Sequence, residues 1–232
     1  MCNRYVSPEE AEIERFWHIG RGSPASWVRD VVPGATAPFL RPYGSSLEVV
    51  AGQWRMIPIN STDRTPRAKP APGKKQGAIL KTNNARDDRI ATAWTYRFPW
   101  QDGKRCLIPA WLFIEPNWET MSNVWWQFRR NDGRPWALAG LWNEWTDPKT
   151  GEVVPNYTMI TVNANDHPLM SRMHRPEVDP GTEEPLPLAQ QDKRSVVSIE
   201  AANMEQWLTG SQDEARALLK PPALELIEAG PA

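Results

Sequence analysis

Cys2 directly follows Met1, and a small side chain in second position marks an initiator methionine for removal by methionine aminopeptidase. The shortened chain would carry an α-amine and a thiol on one residue. Reference pKa values of about 7.7–8.0 for the amine and about 8.5 for the thiol leave both partly nucleophilic near neutral pH. Such a 1,2-aminothiol condenses with an aldehyde to a Schiff base, and its sulfur then closes on the same carbon to give a five-membered thiazolidine. The competing reading is a chance residue on a frayed chain end. Glu115 follows an apolar run, Trp111-Leu112-Phe113-Ile114. Burial there would raise its pKa into the range that suits proton transfer, whereas a strand-end glutamate facing water would stay ordinary. Asn83 and Asn84 set two amides close to Arg86, although asparagine is also a common turn residue. His174 lies between Arg172 and Arg175, a positive setting that favours neutral imidazole.

These groups need a frame. Ser7-Pro8-Glu9-Glu10 reads as a helix start with Ser7 as N-cap, and Ile13, Phe16 and Trp17 give one apolar face. Residues 3–5 would then be extended and could hold Cys2 at a fixed place. Short runs bounded by Pro and Gly follow at 31–34, 39–40, 47–51 and 54–59, and they read as antiparallel strands. Further strands are expected at 78–81, 104–115, 125–129, 136–141, 157–163 and 195–199, with the turn 147–151 inside this series. Helices are expected from about Asn203, through Met204, Trp207 and Leu208, and again at 215–219. One domain over 1–220 accommodates all of this. It carries a basic insertion at 61–77, an acidic, Pro-rich insertion at 178–192 and a loosely held tail at 221–232. The basic insertion is either a flexible phosphate-contacting loop or a solvated linker.

Composition narrows the classes. A net charge of −1 gives no global field for nucleic acid, so any such contact must be a local groove. Thirteen Trp exceed what one core needs, and those left exposed could stack on unpaired bases; most fill the core. Cys2 and Cys106 form neither a disulfide framework nor a metal spacing, and the three histidines are too scattered for a zinc signature, so neither metal nor other cofactor is expected. The longest apolar stretch, 106–114, has nine residues, far short of a membrane span. A soluble, cytoplasmic protein with no membrane contact is expected.

Taken together, these segments resemble the SOS-response-associated peptidase (SRAP) family of abasic-site-processing proteins. The resemblance runs in order through Met1-Cys2-Asn3-Arg4-Tyr5, Val32-Pro33-Gly34, Trp54-Arg55-Met56-Ile57-Pro58 and Thr82-Asn83-Asn84-Ala85-Arg86. It continues with Arg105-Cys106-Leu107-Ile108-Pro109-Ala110, Phe113-Ile114-Glu115, Ala139-Gly140-Leu141-Trp142, Asn163-Ala164-Asn165, Met173-His174 and Lys193-Arg194-Ser195-Val196-Val197. It implies an α+β fold, mainly antiparallel β sheets curled into a barrel-like body with flanking helices. It also implies a monomer that senses abasic sites in single-stranded DNA and links to them through a thiazolidine on the N-terminal cysteine.

Residue by residue, the resemblance makes Cys2 the nucleophile and amine donor. It makes Asn84 the amide holding the terminus, Glu115 the proton shuttle, His174 the imidazole that helps open the sugar, and Arg4, Arg86 and Arg194 phosphate contacts. Asp87-Asp88 depart from the family pattern and should weaken phosphate binding; Pro116 replaces a frequent Trp. The acidic insertion separates His174 from Arg194, which leaves Arg172 and Arg175 as rival occupants of the imidazole position. Two other functions fit the same residues. One is an N-terminal-nucleophile cysteine peptidase or autoprocessing hydrolase; the other is a non-covalent reader of single strands or modified bases.

Overall fold

Two interleaved apolar sets, alternating along the same strands, organise the chain. In a computed structural model that describes residues 1–19 and 26–232, the strands are β1 (Tyr5–Val6), β2 (Asp30–Val31), β3 (Thr36–Tyr43), β4 (Ser46–Trp54), β5 (Asn84–Arg86) and β6 (Arg105–Ala110). They continue with β7 (Leu112–Asn117), β8 (Val124–Arg130), β9 (Trp136–Thr146), β10 (Val153–Asn163), β11 (Arg194–Val196) and β12 (Ile227–Pro231). The helices are α1 (Glu10–Trp17), α2 (Arg97–Gln101), α3 (Met204–Thr209) and α4 (Gln212–Ala217). On β6 and β9, Cys106, Ile108, Ala110, Trp136 and Leu138 join one core cluster, while Leu107, Ala137, Ala139 and Leu141 join another. Successive strand side chains point to opposite faces, so these strands are covered on both sides.

Strand pairing closes a ring. Strand β10 pairs with β9 along one edge and with β4 along the other, and β4–β3–β6–β9 completes the circuit. The same two edges of β10 continue onto β11 and β5. The second sheet has the order β12-β8-β7-β1-β2. The expected α+β barrel-like body is what the chain forms, with two parallel pairings, β10–β4 and β10–β5, inside an otherwise antiparallel scheme. One core cluster lies between the ring and the second sheet and contains Cys2, Tyr5, Phe113 and Phe128; the other takes in Ile13, Trp100, Trp207 and Ala215 from the helices.

Several local expectations need correction. The N-cap of α1 is Glu9, not Ser7, and the capping box joins Glu9 with Glu12. Ser7 is committed elsewhere: its N–H donates to the Arg29 carbonyl at 2.7 Å and its hydroxyl to the Pro8 carbonyl. Residues 78–81 form only an isolated bridge at Ile79; the strand begins at Asn84, where β10 offers a free edge. The tail is not loose, because β12 pairs with β8 over five residues. The basic stretch is neither free nor a plain linker. Ala68 and Leu80 N–H groups bond across it, and the Trp145 indole and Gln53 amide bind its carbonyls at Ser61 and Arg64.

Strand β1 matters most for function. It is wedged between β2 and β7, with Tyr5 opposite both Val31 and Phe113. Tyr5 is fully buried, meets Trp54 edge-on at 5.0 Å, and shares a 2.5 Å hydrogen bond with the Tyr157 hydroxyl. A hydroxyl in an apolar core needs such a partner. Tyr5 thereby anchors the first residues of the chain between the two sheets.

Candidate functional site

Anchoring β1 delivers Cys2 to one end of the second sheet. The Cys2 thiol is fully buried and donates to the Arg4 carbonyl at 3.4 Å. Burial first, and the nearby Glu115 carboxylate second, push its pKa far above the ordinary thiol value. The Cys2 carbonyl is gripped by two amides, Asn84 Nδ2 at 2.6 Å and Asn83 Nδ2 at 3.3 Å. The backbone that carries these amides is itself held. The Asn83 main-chain carbonyl accepts from the Trp54 indole at 2.9 Å and from the Met159 N–H at 3.0 Å, and the Asn84 main-chain carbonyl accepts from the Tyr96 hydroxyl at 3.0 Å. Parallel pairing of β5 to β10 is therefore what aims both asparagines at the chain's start.

A cleft of about 190 Å³ opens beside this grip, with Met1, Asn84, Glu115, Trp125 and His174 in its wall and Lys81 and Asn3 at its side. Glu115 sits on β7 and is 1% exposed, and neither of its carboxyl oxygens has a hydrogen-bond partner. Burial raises its pKa to about 7, against a smaller lowering by the Met1 amine. Oε2 lies 4.0 Å from that amine and 3.6 Å from His174 Nε2.

His174 adopts a left-handed backbone, φ +64°, and its N–H donates to the Pro116 carbonyl at 2.7 Å, one residue from Glu115. Its Nε2 lies 3.2 Å from the Arg194 carbonyl. The Met1 amine lies 3.1 Å from Nδ1 and 3.0 Å from Nε2; because the Arg194 carbonyl only accepts, it favours the tautomer in which Nε2 carries the hydrogen and Nδ1 offers its lone pair to the amine. Burial, then the Met1 amine, lower the His174 pKa to about 3, with Lys193 adding to this. The flanking arginines expected to do so turn away: Arg172 pairs with Glu119, and Arg175 lies over the Trp118 ring. The acidic insertion loops out between His174 and Arg194 and leaves the two in contact, so the imidazole, not a neighbouring guanidinium, stands beside Glu115.

Cys2, Asn84, Glu115 and His174 thus converge, whereas the three expected phosphate contacts are occupied. Arg4 makes a two-point pair with Asp30, both bonds 2.8 Å. Arg86 binds Asp88 through two nitrogens and Asp192 through the third. Arg194 is 4% exposed and binds Asp87 and the Thr161 carbonyl. Sequence reasoning passed over Lys81, Trp125 and Lys193. For Trp125 the telling facts come only with the fold: it occupies the position opposite Pro116 on the neighbouring strand, and it is 52% exposed. Among the described residues no group of three or more His, Cys, Asp and Glu gathers as a metal site would require, and no helix is long and apolar enough to cross a membrane.

The fold and site together are those of a barrel whose first strand feeds a cysteine and an amine to a carboxylate–imidazole pair. The SOS response associated peptidase (SRAP) family profile matches residues 1–231, and the chain belongs to that family. It is similar to the abasic site processing protein HMCES of Gallus gallus, 31% identical over 115 residues, covering 41% of this chain and 33% of that protein. The Xenopus tropicalis HMCES is 26% identical over 155 residues, covering 55% and 41%. The matched part is less than half the length of either relative. Among solved structures, a Bordetella bronchiseptica protein superposes with a TM-score of 0.77 at 28% identity, covering 100% of this chain and 99% of that one. A Bacteroides thetaiotaomicron protein gives 0.67 at 20% identity, covering 98% and 89%.

Proposed function

We propose that this protein processes abasic sites in single-stranded DNA by forming a thiazolidine crosslink through Cys2 once Met1 has been removed. The observation that carries the reading is the two-amide grip on the Cys2 carbonyl beside Glu115 and His174, which stand 3.6 Å apart. Family membership and the name of the two curated relatives agree with it.

The chemistry divides between the two groups. An abasic sugar is mostly a closed hemiacetal. Neutral His174 takes the proton of the C1′ hydroxyl while protonated Glu115 gives one to the ring oxygen, and the aldehyde opens. The Cys2 amine adds to C1′. The His174 imidazolium returns its proton to Glu115, and the carbinolamine hydroxyl takes that proton and leaves as water. The nitrogen gives its remaining proton back to the Glu115 carboxylate as the Schiff base forms. The Cys2 sulfur adds to the same carbon, and its proton passes by way of the Glu115 carboxylate to the imine nitrogen. One aldehyde and one aminothiol give one thiazolidine and one water. A buried acid with a pKa near 7 can serve in both directions at neutral pH. An unpaired, baseless nucleotide has no stacking to lose, so entry to the cleft costs no flipping energy.

Incubating Cys2-first protein with an abasic single-stranded oligonucleotide should give a complex that survives denaturation. Its intact mass should equal protein plus oligonucleotide minus one water. Cys2→Ala should abolish that product, and Cys2→Ser should leave only a Schiff base trapped by borohydride. No covalent product from protein with an intact Cys2 terminus would overturn the reading.

One observation favours a second reading. The Met1 amine lies within 4.0 Å of Glu115, which puts the Met1–Cys2 peptide bond beside the same acid–base pair and fits an autoprocessing peptidase. Mass spectrometry of a Glu115→Gln variant separates the two: continued loss of Met1 means that host aminopeptidase suffices.

A further inference from the structure

We infer that Lys193 is the positioning residue that holds His174 in place and keeps its imidazole facing Glu115. The inference rests on the reading above for what His174 does, but not for how His174 is held.

Lys193 is 6% exposed, and its ammonium donates to two consecutive carbonyls, Met173 O at 2.9 Å and His174 O at 2.7 Å. The backbone at His174 is left-handed, φ +64°, a region disfavoured for a residue with a Cβ, and the two Lys193 bonds fall on either side of that turn. A non-glycine residue holds that conformation when its surroundings over-determine it. Here the surroundings are the Pro116 carbonyl on one side and the Lys193 ammonium on the other.

The next residue completes the clasp, because the Arg194 carbonyl accepts from the His174 ring at 3.2 Å. Lys193-Arg194 therefore grips His174 at both its backbone and its side chain. Lys193 is itself fixed: its N–H donates to Asn165 Oδ1 at 2.9 Å, and its carbonyl accepts from the Ala164 N–H at 2.7 Å.

The choice of partners bears on chemistry. A buried ammonium is usually matched to a carboxylate, and here its hydrogen bonds go to carbonyls, so the positive charge facing His174 is not cancelled at close range. The charged groups around the imidazole are Glu115 from β7, the Met1 amine and Lys193; Glu177, at the start of the insertion, acts on Lys193 more weakly than burial does. Removing the ammonium takes away one of the influences that keep the ring neutral, and it orphans two carbonyls.

The test compares wild type with Lys193→Met, Lys193→Arg and Lys193→Gln in the full chain. The imidazole of His174 is followed by NMR against pH, and adduct formation is timed in single turnover on an abasic oligonucleotide. In wild type the ring should stay neutral to the acid limit of the fold. In Lys193→Met the titration midpoint should move upward, and adduct formation should slow about ten- to a hundredfold at saturating oligonucleotide, as for other misplaced catalytic groups. Lys193→Arg should restore most of both. Lys193→Gln, with amide donors and no charge, should raise the midpoint while slowing the reaction less. A Lys193→Met protein with the wild-type midpoint and rate overturns the inference; should that variant not fold, an unchanged midpoint in Lys193→Gln does so. Absence of adduct in wild type counts against the abasic-site reading instead, and the titration still decides the role of Lys193.

Discussion

Glu115 Oε2 and His174 Nε2 stand 3.6 Å apart, and burial moves their proton affinities in opposite directions, the carboxyl up to about 7 and the imidazole down to about 3. The acid is thus the weaker proton donor of the two at equilibrium. Between these values both groups are neutral, one holding a proton to give and the other a lone pair to take one. Glu115 loses that proton as pH rises through 7, just as an α-amine with a reference pKa of about 7.7–8.0 becomes nucleophilic. The rate of adduct formation should therefore peak near neutrality. Glu115→Gln should slow it by about 10²–10⁴ and remove the alkaline limb assigned to the carboxyl. A variant with the wild-type pH profile would remove Glu115 from the mechanism.

The same pair makes a stability prediction. Between its ordinary value of 4.5 and about 7, Glu115 is protonated in the folded chain and ionised in the unfolded one. Its contribution is therefore fully present below pH 4.5 and is lost as pH rises through about 7. Glu115→Gln should be more stable than wild type at pH 8, by up to about 3 kcal/mol, with the difference closing towards pH 4.5. His174 runs the other way: its lowered pKa gives stability that is present above 6.5 and lost as pH falls through about 3. Thermal melts of the Gln variant across this range check the first sign; a gap that widens with acid would refute it.

Asn84 should matter more than Asn83. Its amide is 2.6 Å from the Cys2 carbonyl against 3.3 Å for Asn83, and Asn83 divides its donors with the Asn3 side chain. Asn84→Ala should slow adduct formation about tenfold and Asn83→Ala by less, in line with the loss of one buried hydrogen bond in the first case. Single-turnover rates on the same oligonucleotide measure both; equal effects would mean that the two amides hold the terminus alike.

Asp192 is expected to oppose DNA binding. It ends the acidic insertion and pairs with both Arg86 and, at 3.6 Å, Arg194. Asp192→Asn should tighten binding of a plain single-stranded oligonucleotide several-fold at low salt. Arg86 keeps Asp88 but loses its second carboxylate, and if it then neutralises a phosphate the salt dependence of log K should steepen by about 0.7. Unchanged affinity and slope across a salt series would show that these arginines never meet phosphate.

Trp125 offers half its surface at the mouth of the cleft. Trp125→Ala should weaken single-strand binding by about 1–3 kcal/mol, the usual worth of one base stacked on an aromatic ring, and Trp125→Phe should recover part of it. Anisotropy of a labelled oligonucleotide reads both. An Ala variant that binds like wild type would assign the exposed indole no part in stacking.

Much of this was legible in the residues, and the exceptions have definite causes. Short apolar runs between turn residues marked β6, β9 and β10, which is how strands covered on both faces read. The Met-Cys start singled out Cys2, which the fold brings beside Glu115 and His174. Ser7 misled because a residue well suited to capping was taken by tertiary bonds to Arg29 and Pro8. The strand at Asn84 was displaced from 78–81 because local propensity cannot say where β10 leaves an edge. The tail looked free because a strand with Gly230 and Pro231 shows little on its own; its partner, β8, is about a hundred residues earlier. Lys193 was invisible as a contact because its role depends on two carbonyls nineteen and twenty residues away. The state of the arginines depends likewise on which aspartates the fold carries to them.

Both ends of the described chain meet at one place. Met1 lines the cleft, and the Ala232 N–H donates to the Trp125 carbonyl at 2.8 Å, on the residue that forms the opposite lip. Any extra residues placed ahead of Cys2 would have to leave through this cleft. Residues appended after Ala232 would emerge next to the lip where a strand would approach. A handle at either terminus would therefore crowd the mouth of the cleft, and a turn outside its lining, such as the one around Gly151, is the safer site for a label.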